Sequence, residues 1–307
     1  MNSQVSERLT SRSDESGFAL PELLISLLLV LIVFGAVLTA LSQMVTSQKT
    51  IWNRTQMHSG VRGATELMQQ EIGQAGLIAL PGSVTLTGVV PSLGVNTVTV
   101  SSTAGMFVGE KLNVGTGNDE ETITVTAIAS GAITAYFANP QVNLAPVRVF
   151  GGFSSGVVPP NAVNGSTGTV LKLFGDINGD GQMVYVEYSC NLGSGVLYRN
   201  MMAWNAASKP AVTPDQIMLT NVVANPGGSP CFTYQTETAG TRTFVTGVAI
   251  TLSVRTQQVN SFTKQFQIET KALLNVAPRN VVHVWQLGSL GLTSRIQPTP
   301  TAVSNLF

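Results

Sequence analysis

Gly17-Phe18-Ala19-Leu20-Pro21-Glu22 runs directly into Leu23-Leu24-Ile25-Ser26-Leu27-Leu28-Leu29-Val30-Leu31-Ile32-Val33-Phe34. The apolar run continues to Leu41, so residues 23–41 span about 29 Å as a helix, the thickness of a bilayer core. It is longer than the apolar centre of an ordinary secretory signal. Glu22 at its lip is the only acidic residue between Glu15 and Glu66. A carboxylate there is favoured by the positive end of a helix dipole and disfavoured by a membrane's apolar interior. Pro21 suits a first helical turn. Ala40-Leu41-Ser42 also offers small residues of the kind a signal peptidase cuts.

Working outward, residues 1–17 are polar, with Arg8 and Arg12 set against Glu7, Asp14 and Glu15, and read as a leader or a disordered tail. Cations flank the apolar run on both sides, at Arg8 and Arg12 and at Lys49 and Arg54, so charge favours a cytoplasmic N-terminus only slightly. Beyond the run the helical period persists. Met57, Val61, Ala64, Met68, Ile72 and Ala75 recur at steps of three and four, one apolar stripe. Arg54, Arg62, Glu66, Gln69 and Gln70 occupy the other face. Gly73 and Gly76 weaken the helix end, and Pro81-Gly82 stops it.

The rest of the 307-residue chain is rich in Thr, Val, Ser and Gly, and only 10% of residues are charged, 16 basic against 16 acidic. Such a composition favours strands and gives no general attraction to nucleic acid. From Ser83 to Phe150 short strands are expected at Asn96–Ser101, Phe107–Val114, Glu121–Ile128 and Ala132–Phe137, a small β module inserted before the main sheet. Asp119-Glu120-Glu121 reads as a solvated acidic turn. A Gly/Pro/Asn-rich connection covers residues 151–166. A β head follows over 165–286, with a hairpin of Met183–Cys190 and Val196–Asn200 and two long strands, Thr243–Arg255 and Phe262–Leu274. Residues 287–307 hold few apolar anchors and several prolines, and read as an extended, mobile tail. The fold class is α+β: a long N-terminal helix and a β-rich antiparallel head.

Two further features carry chemistry. Asp176-Ile177-Asn178-Gly179-Asp180-Gly181 with Glu187 at the twelfth position fits a calcium loop, with Asp176, Asn178, Asp180, Glu187 and the Gln182 carbonyl as ligands. Yet Met183–Ser189 alternates as a strand, which would carry Glu187 away. A tight Asx/Gly turn into a hairpin explains the same residues. Ca²⁺ is thus one reading of the turn, and no cofactor is required. Cys190 and Cys231 lie downstream of the apolar run, where an oxidising compartment would join them, although two separate buried thiols fit as well. No zinc-protease helix motif, nucleophile elbow or phosphate-binding loop is present in the sequence, and the chain reads as no enzyme.

Gly17|Phe18-Ala19-Leu20-Pro21-Glu22 with its apolar run resembles the signal of type IV prepilins and pseudopilins. That resemblance implies cleavage between Gly17 and Phe18 by a prepilin peptidase, and N-methylation of Phe18. It gives Glu22 the role of pairing with the Phe18 amine of a neighbouring subunit. It also implies helix 18–80, other pilins in a helical filament and an inner-membrane assembly platform as partners, and a head placed in the periplasm before entering the pilus. The leader departs from the family in lacking net positive charge. Residues 67–76, ending Ala75-Gly76, resemble the helix end of PilW-type minor pilins, and Pro278-Arg279-Asn280 is similar to the sheet ending of those and of J-type minor pseudopilins. The resemblance implies a structural subunit of a type IV pilus. A minor pseudopilin of type II secretion shares every cue, and an anchored adhesin or calcium-binding β protein keeps the helix as a tether only.

Overall fold

A computed structural model describes residues 20–307. Gly17 and Phe18, and with them the expected cleavage and methylation site, lie outside the described residues. The first element is α1 (Leu20–Gln74), one continuous helix of 55 residues. The chain forms two compact units that divide between Trp52 and Asn53.

In the first unit, every side chain from Leu20 to Val45 is exposed, on all sides of the helix. This stretch is long and apolar enough to cross a membrane. Three hydroxyls of this unit bond back to the helix itself. Ser26 Oγ donates to the Glu22 carbonyl, Thr39 Oγ1 to that of Gly35 and Thr46 Oγ1 to that of Ser42, each at 2.8 Å. Such back-bonding lets a polar side chain sit on an apolar helix without needing water.

In the second unit, the remainder of α1 buries one stripe. Met57, Val61, Ala64, Met68, Ile72 and Ala75, the residues expected from the period, are all buried. The helix ends at Gln74, not near residue 80, because the chain is gripped there. Gly76 adopts φ +86° and its N–H donates to the Phe174 carbonyl at 2.8 Å. Its backbone lies so close to Gly156 that a Cβ on the latter would come within 2.3 Å of it. No other residue fits that crossing.

The β module is a six-stranded antiparallel sheet in the order β1-β6-β3-β4-β5-β2, built from β1 (Val84–Thr85), β2 (Gly94–Thr99), β3 (Lys111–Val114), β4 (Glu121–Ala129), β5 (Ala132–Phe137) and β6 (Pro146–Val149). Alternation in β4 puts Ile123 and Val125 inside and Thr122, Thr124 and Thr126 outside. The module has its own core of Leu86, Leu112, Ile123, Ile133, Phe137 and their neighbours. Strand β3 is shorter than expected. Phe107–Glu110 forms a turn, with the Glu110 N–H on the Phe107 carbonyl and a Glu110 carboxylate oxygen accepting the Phe107 N–H at 3.2 Å.

The head has two sheets. One orders as β11-β10-β9-β8, from β8 (Val170–Gly175), β9 (Val184–Asn191), β10 (Val196–Ala203) and β11 (Ile217–Thr220). The other contains β12 (Val222–Val223), β13 (Phe232–Ala239), β14 (Arg242–Arg255) and β15 (Ile268–Val276), with β14 paired to the other three. Their inner faces close over the α1 stripe in one core holding Leu171, Leu173, Val186, Val248, Ile250, Leu252 and Val254. Cys190 and Cys231 form a disulfide across a separation of 41 residues and lie in that core. The bridge staples the end of β9 to the start of β13, one sheet to the other.

Four further stretches differ from expectation, the first being β15, which begins at Ile268 and not at Phe262 because the turn takes up the residues before it. Residues 151–166 are no mere connection: β7 (Gly152–Phe153), Val157 and Val158 are fully buried. Pro278-Arg279-Asn280 follows the end of β15 at Val276 and, beyond what was expected, opens α2 (Arg279–Ser289), which buries Val281 and Val284. The segment 287–307 is no mobile tail. It forms β16 (Ile296–Gln297), parallel to β7, and a short α3 (Thr301–Ser304), and buries Ile296, Val303 and Leu306. Gln297 is fully buried because its amide replaces a missing strand. It accepts from Lys111 N–H at 2.9 Å and donates to the carbonyls of Lys111 and Phe150 at 2.8 and 3.0 Å.

Glu110 leaves a pH signature. Its carboxyl is fully buried with one oxygen unpartnered, and burial pushes its pKa up to about 8. The unfolded chain ionises this group near its usual acidic value, whereas the folded chain keeps it neutral. Stability from this group is therefore full at acidic pH, falls as pH rises, and is lost above about 8. Glu110→Gln should leave stability near pH 4 almost unchanged. Near pH 7 it should add on the order of 3 kcal/mol. Urea unfolding across pH 4–8.5 reads both.

Candidate functional site

Glu22 lies in the first turn of α1, exposed, with its main-chain carbonyl accepting from Ser26. The apolar residues that follow put this carboxylate at one end of a membrane-length surface.

At the other end of α1, a second acidic residue holds the helix to the head. Glu71 is 4% exposed among apolar side chains of the stripe. Arg199 on β10 grips it with Nε and Nη2, at 3.0 and 2.5 Å from Oε1, and the Tyr188 hydroxyl on β9 donates to Oε2 at 2.5 Å. Burial, followed by the nearby Glu71 charge, pushes the Tyr188 phenol well above its ordinary range, so it stays a donor. This fork geometry is what a buried carboxylate needs to offset its desolvation. The residue has a sequence signal. Glu71 stands three positions after Met68 and four before Ala75, on the apolar stripe itself. A charge in that row must meet a counter-charge across the interface.

The Asp176–Gly181 turn is organised around its first residue. The Asp176 carboxylate is buried and accepts the N–H groups of Asp180 and Gly181 at 3.1 and 3.0 Å. Asp180 Oδ1 accepts the Gln182 N–H at 2.9 Å, and Asn178 Nδ2 faces the Met201 sulfur. Gly179 and Gly181 take positive φ. These are the bonds of an Asx turn entering a hairpin. Glu187 is not brought to it. It lies along β9, where its carboxylate accepts from the Lys209 ammonium at 2.6 Å and the Tyr185 hydroxyl at 2.9 Å. Lys172 Nζ stands 4.0 Å away. Among the described residues no cluster of three or more His, Cys, Asp or Glu side chains is placed to hold a metal ion. The Asp119–Glu121 turn is likewise structural in part. Glu121 accepts the N–H groups of Ala138 and Asn139 at 2.7 and 3.0 Å and the Gln141 amide at 3.0 Å.

Of the two histidines, His58 faces Glu269 at 3.8 Å with both side chains nearly half exposed, and His283 lies on α2. Both cysteines are in the disulfide and no free thiol exists. Compared with models of protein families, with curated proteins and with solved structures, the chain finds no match.

The helix clamp predicts a non-additive pair. Arg199→Met strands a buried carboxylate and should destabilise the chain by about 3–5 kcal/mol. Adding Glu71→Met should recover part of that loss, because it removes the stranded charge while leaving the Tyr188 hydroxyl without its acceptor. Thermal unfolding of both variants tests it. A double variant no more stable than Arg199→Met would place the stability elsewhere.

Proposed function

We propose that this chain is a minor pilin, a PilW-like structural subunit of a type IV pilus. The observation that carries the reading is α1. One helix of 55 residues is apolar on every side up to Val45, and from Met57 onward buries only a stripe. A helix of that design serves two surroundings in turn. Its first half lies in lipid and later among neighbouring helices, while its second half serves as the spine of a folded head. Glu22, in the first turn, supports the same reading by its place relative to Phe18.

On this reading a prepilin peptidase cleaves after Gly17, and Phe18 becomes the methylated first residue. The chain waits in the inner membrane, N-terminus in the cytoplasm and head in the periplasm. It then leaves for the filament through the assembly platform. Packing of apolar helices supplies the association. The Glu22 carboxylate, facing the Phe18 ammonium of a neighbour in a water-poor bundle, sets the axial register. The work is assembly and needs no cofactor.

Glu22→Ala tests the register. Membrane levels of the variant should match the unaltered chain, while its recovery in sheared filaments should be lost. Undiminished recovery in filaments would refute the assembly role of Glu22. Co-purification of the unaltered chain with a type II secretion pseudopilus instead of a pilus would reassign the machine and keep the role.

A further inference from the structure

Strand β14 and the second half of α1 share one core and run in opposite directions. β14 begins beside α2, where Phe244 packs with Val281 near the Gly76 end of the helix. It ends at Arg255, which lines a cavity of about 310 Å³ together with Asn53, Gln56 and Gln257. The turn that follows, Thr256–Gln267, therefore projects from the Asn53 end of this unit, the end from which the chain leads back to the membrane-length segment.

That turn is built, yet it covers nothing. The Thr256 N–H donates to the Gln267 carbonyl and the Asn260 N–H to the Gln265 carbonyl, each at 2.9 Å. Asn260 Oδ1 accepts the N–H groups of Phe262 and Thr263 at 2.8 and 3.2 Å. On this frame Phe262 is 63% exposed, Val259 43% and Phe266 41%. The Arg255 guanidinium stacks over the Phe266 ring at 4.5 Å, and Lys264 sits at the tip with φ +57°. No acidic residue occurs between Thr256 and Ile268, and the next one, Glu269, faces His58. Exposed aromatic rings set among cations without a counter-charge match the layer where phosphate headgroups meet acyl chains.

We propose that the β14–β15 turn is a lipid-contacting tip that seats Val259, Phe262 and Phe266 in the headgroup layer of an anionic bilayer. It rests on the reading of residues 23–41 as membrane-spanning. Its consequence is a second membrane contact, made by a loop of the head itself.

The test uses the full chain in vesicles of phosphatidylcholine and phosphatidylglycerol, some lipids carrying a nitroxide. Because both native cysteines are bonded, one introduced thiol labels cleanly. Fluorescent labels are placed by Ser261→Cys at the tip, Phe34→Cys in the apolar segment and Asn118→Cys in the β module. The expected result is quenching at positions 34 and 261 and none at 118. Lys264→Gln, or removal of phosphatidylglycerol, should lower the docked fraction at 261, by about five-fold in its equilibrium constant for the single cation. Quenching at 34 without quenching at 261 overturns the tip and leaves the spanning segment standing. Absence of quenching at both overturns the spanning reading as well. A label at 261 that is shielded in detergent as strongly as in vesicles points to a protein partner and also overturns it.

Discussion

The head depends on one burial: a single stripe of α1 lies under two sheets. Met57, Val61, Met68 and Ile72 are side chains whose removal from water stabilises by roughly 1.5–3 kcal/mol each. Both sheets place inner-face residues, Leu171 and Leu173 from one and Val248 and Ile250 from the other, in the same core as that stripe. Glu71 in the middle of the stripe makes the burial selective. Its carboxylate accepts from Arg199 and Tyr188, so a rotation or slip of the helix by one residue would strand it. Apolar contacts give the helix its hold, and the buried charge gives it one address.

A different constraint acts on the first part of the same helix. From Leu20 to Val45 no side is polar enough to face water, and no part of it is buried in the chain. Such a surface needs lipid or other apolar helices around it. One uninterrupted helix thus carries two incompatible solvation demands, separated along its length. In the pilin reading that separation is the function, since the upper part stays folded while the lower part exchanges lipid for protein.

Periodicity made much of this legible in advance. The stripe from Met57 to Ala75 and the strands β4, β9 and β14 follow from the spacing of apolar residues, although β9 and β14 also bury Tyr185 and Phe244 on their second face. The disulfide was readable only as a pairing of the two cysteines available, one of two readings. The C-terminal segment was not legible. Ile296, Val303 and Leu306 are too sparse to form a period; Val303 and Leu306 are buried against Phe153, Phe174 and Tyr185, and Ile296 against Phe244, Val281 and Val284, all from elsewhere in the chain. Gln297 and Glu110 are polar residues placed inside by tertiary contacts, which no local pattern announces. The Asp176 turn was visible as a motif, but the role of its first carboxylate depends on two N–H groups that only the folded turn aims at it.

The central claim is that α1 begins as a processed pilin helix, and intact-mass and N-terminal analysis of the mature protein from membranes tests it most directly. The account predicts a chain that starts at Phe18 with a methyl group on its amine. A chain that starts after Ser42, or that retains residues 1–17, would contradict it.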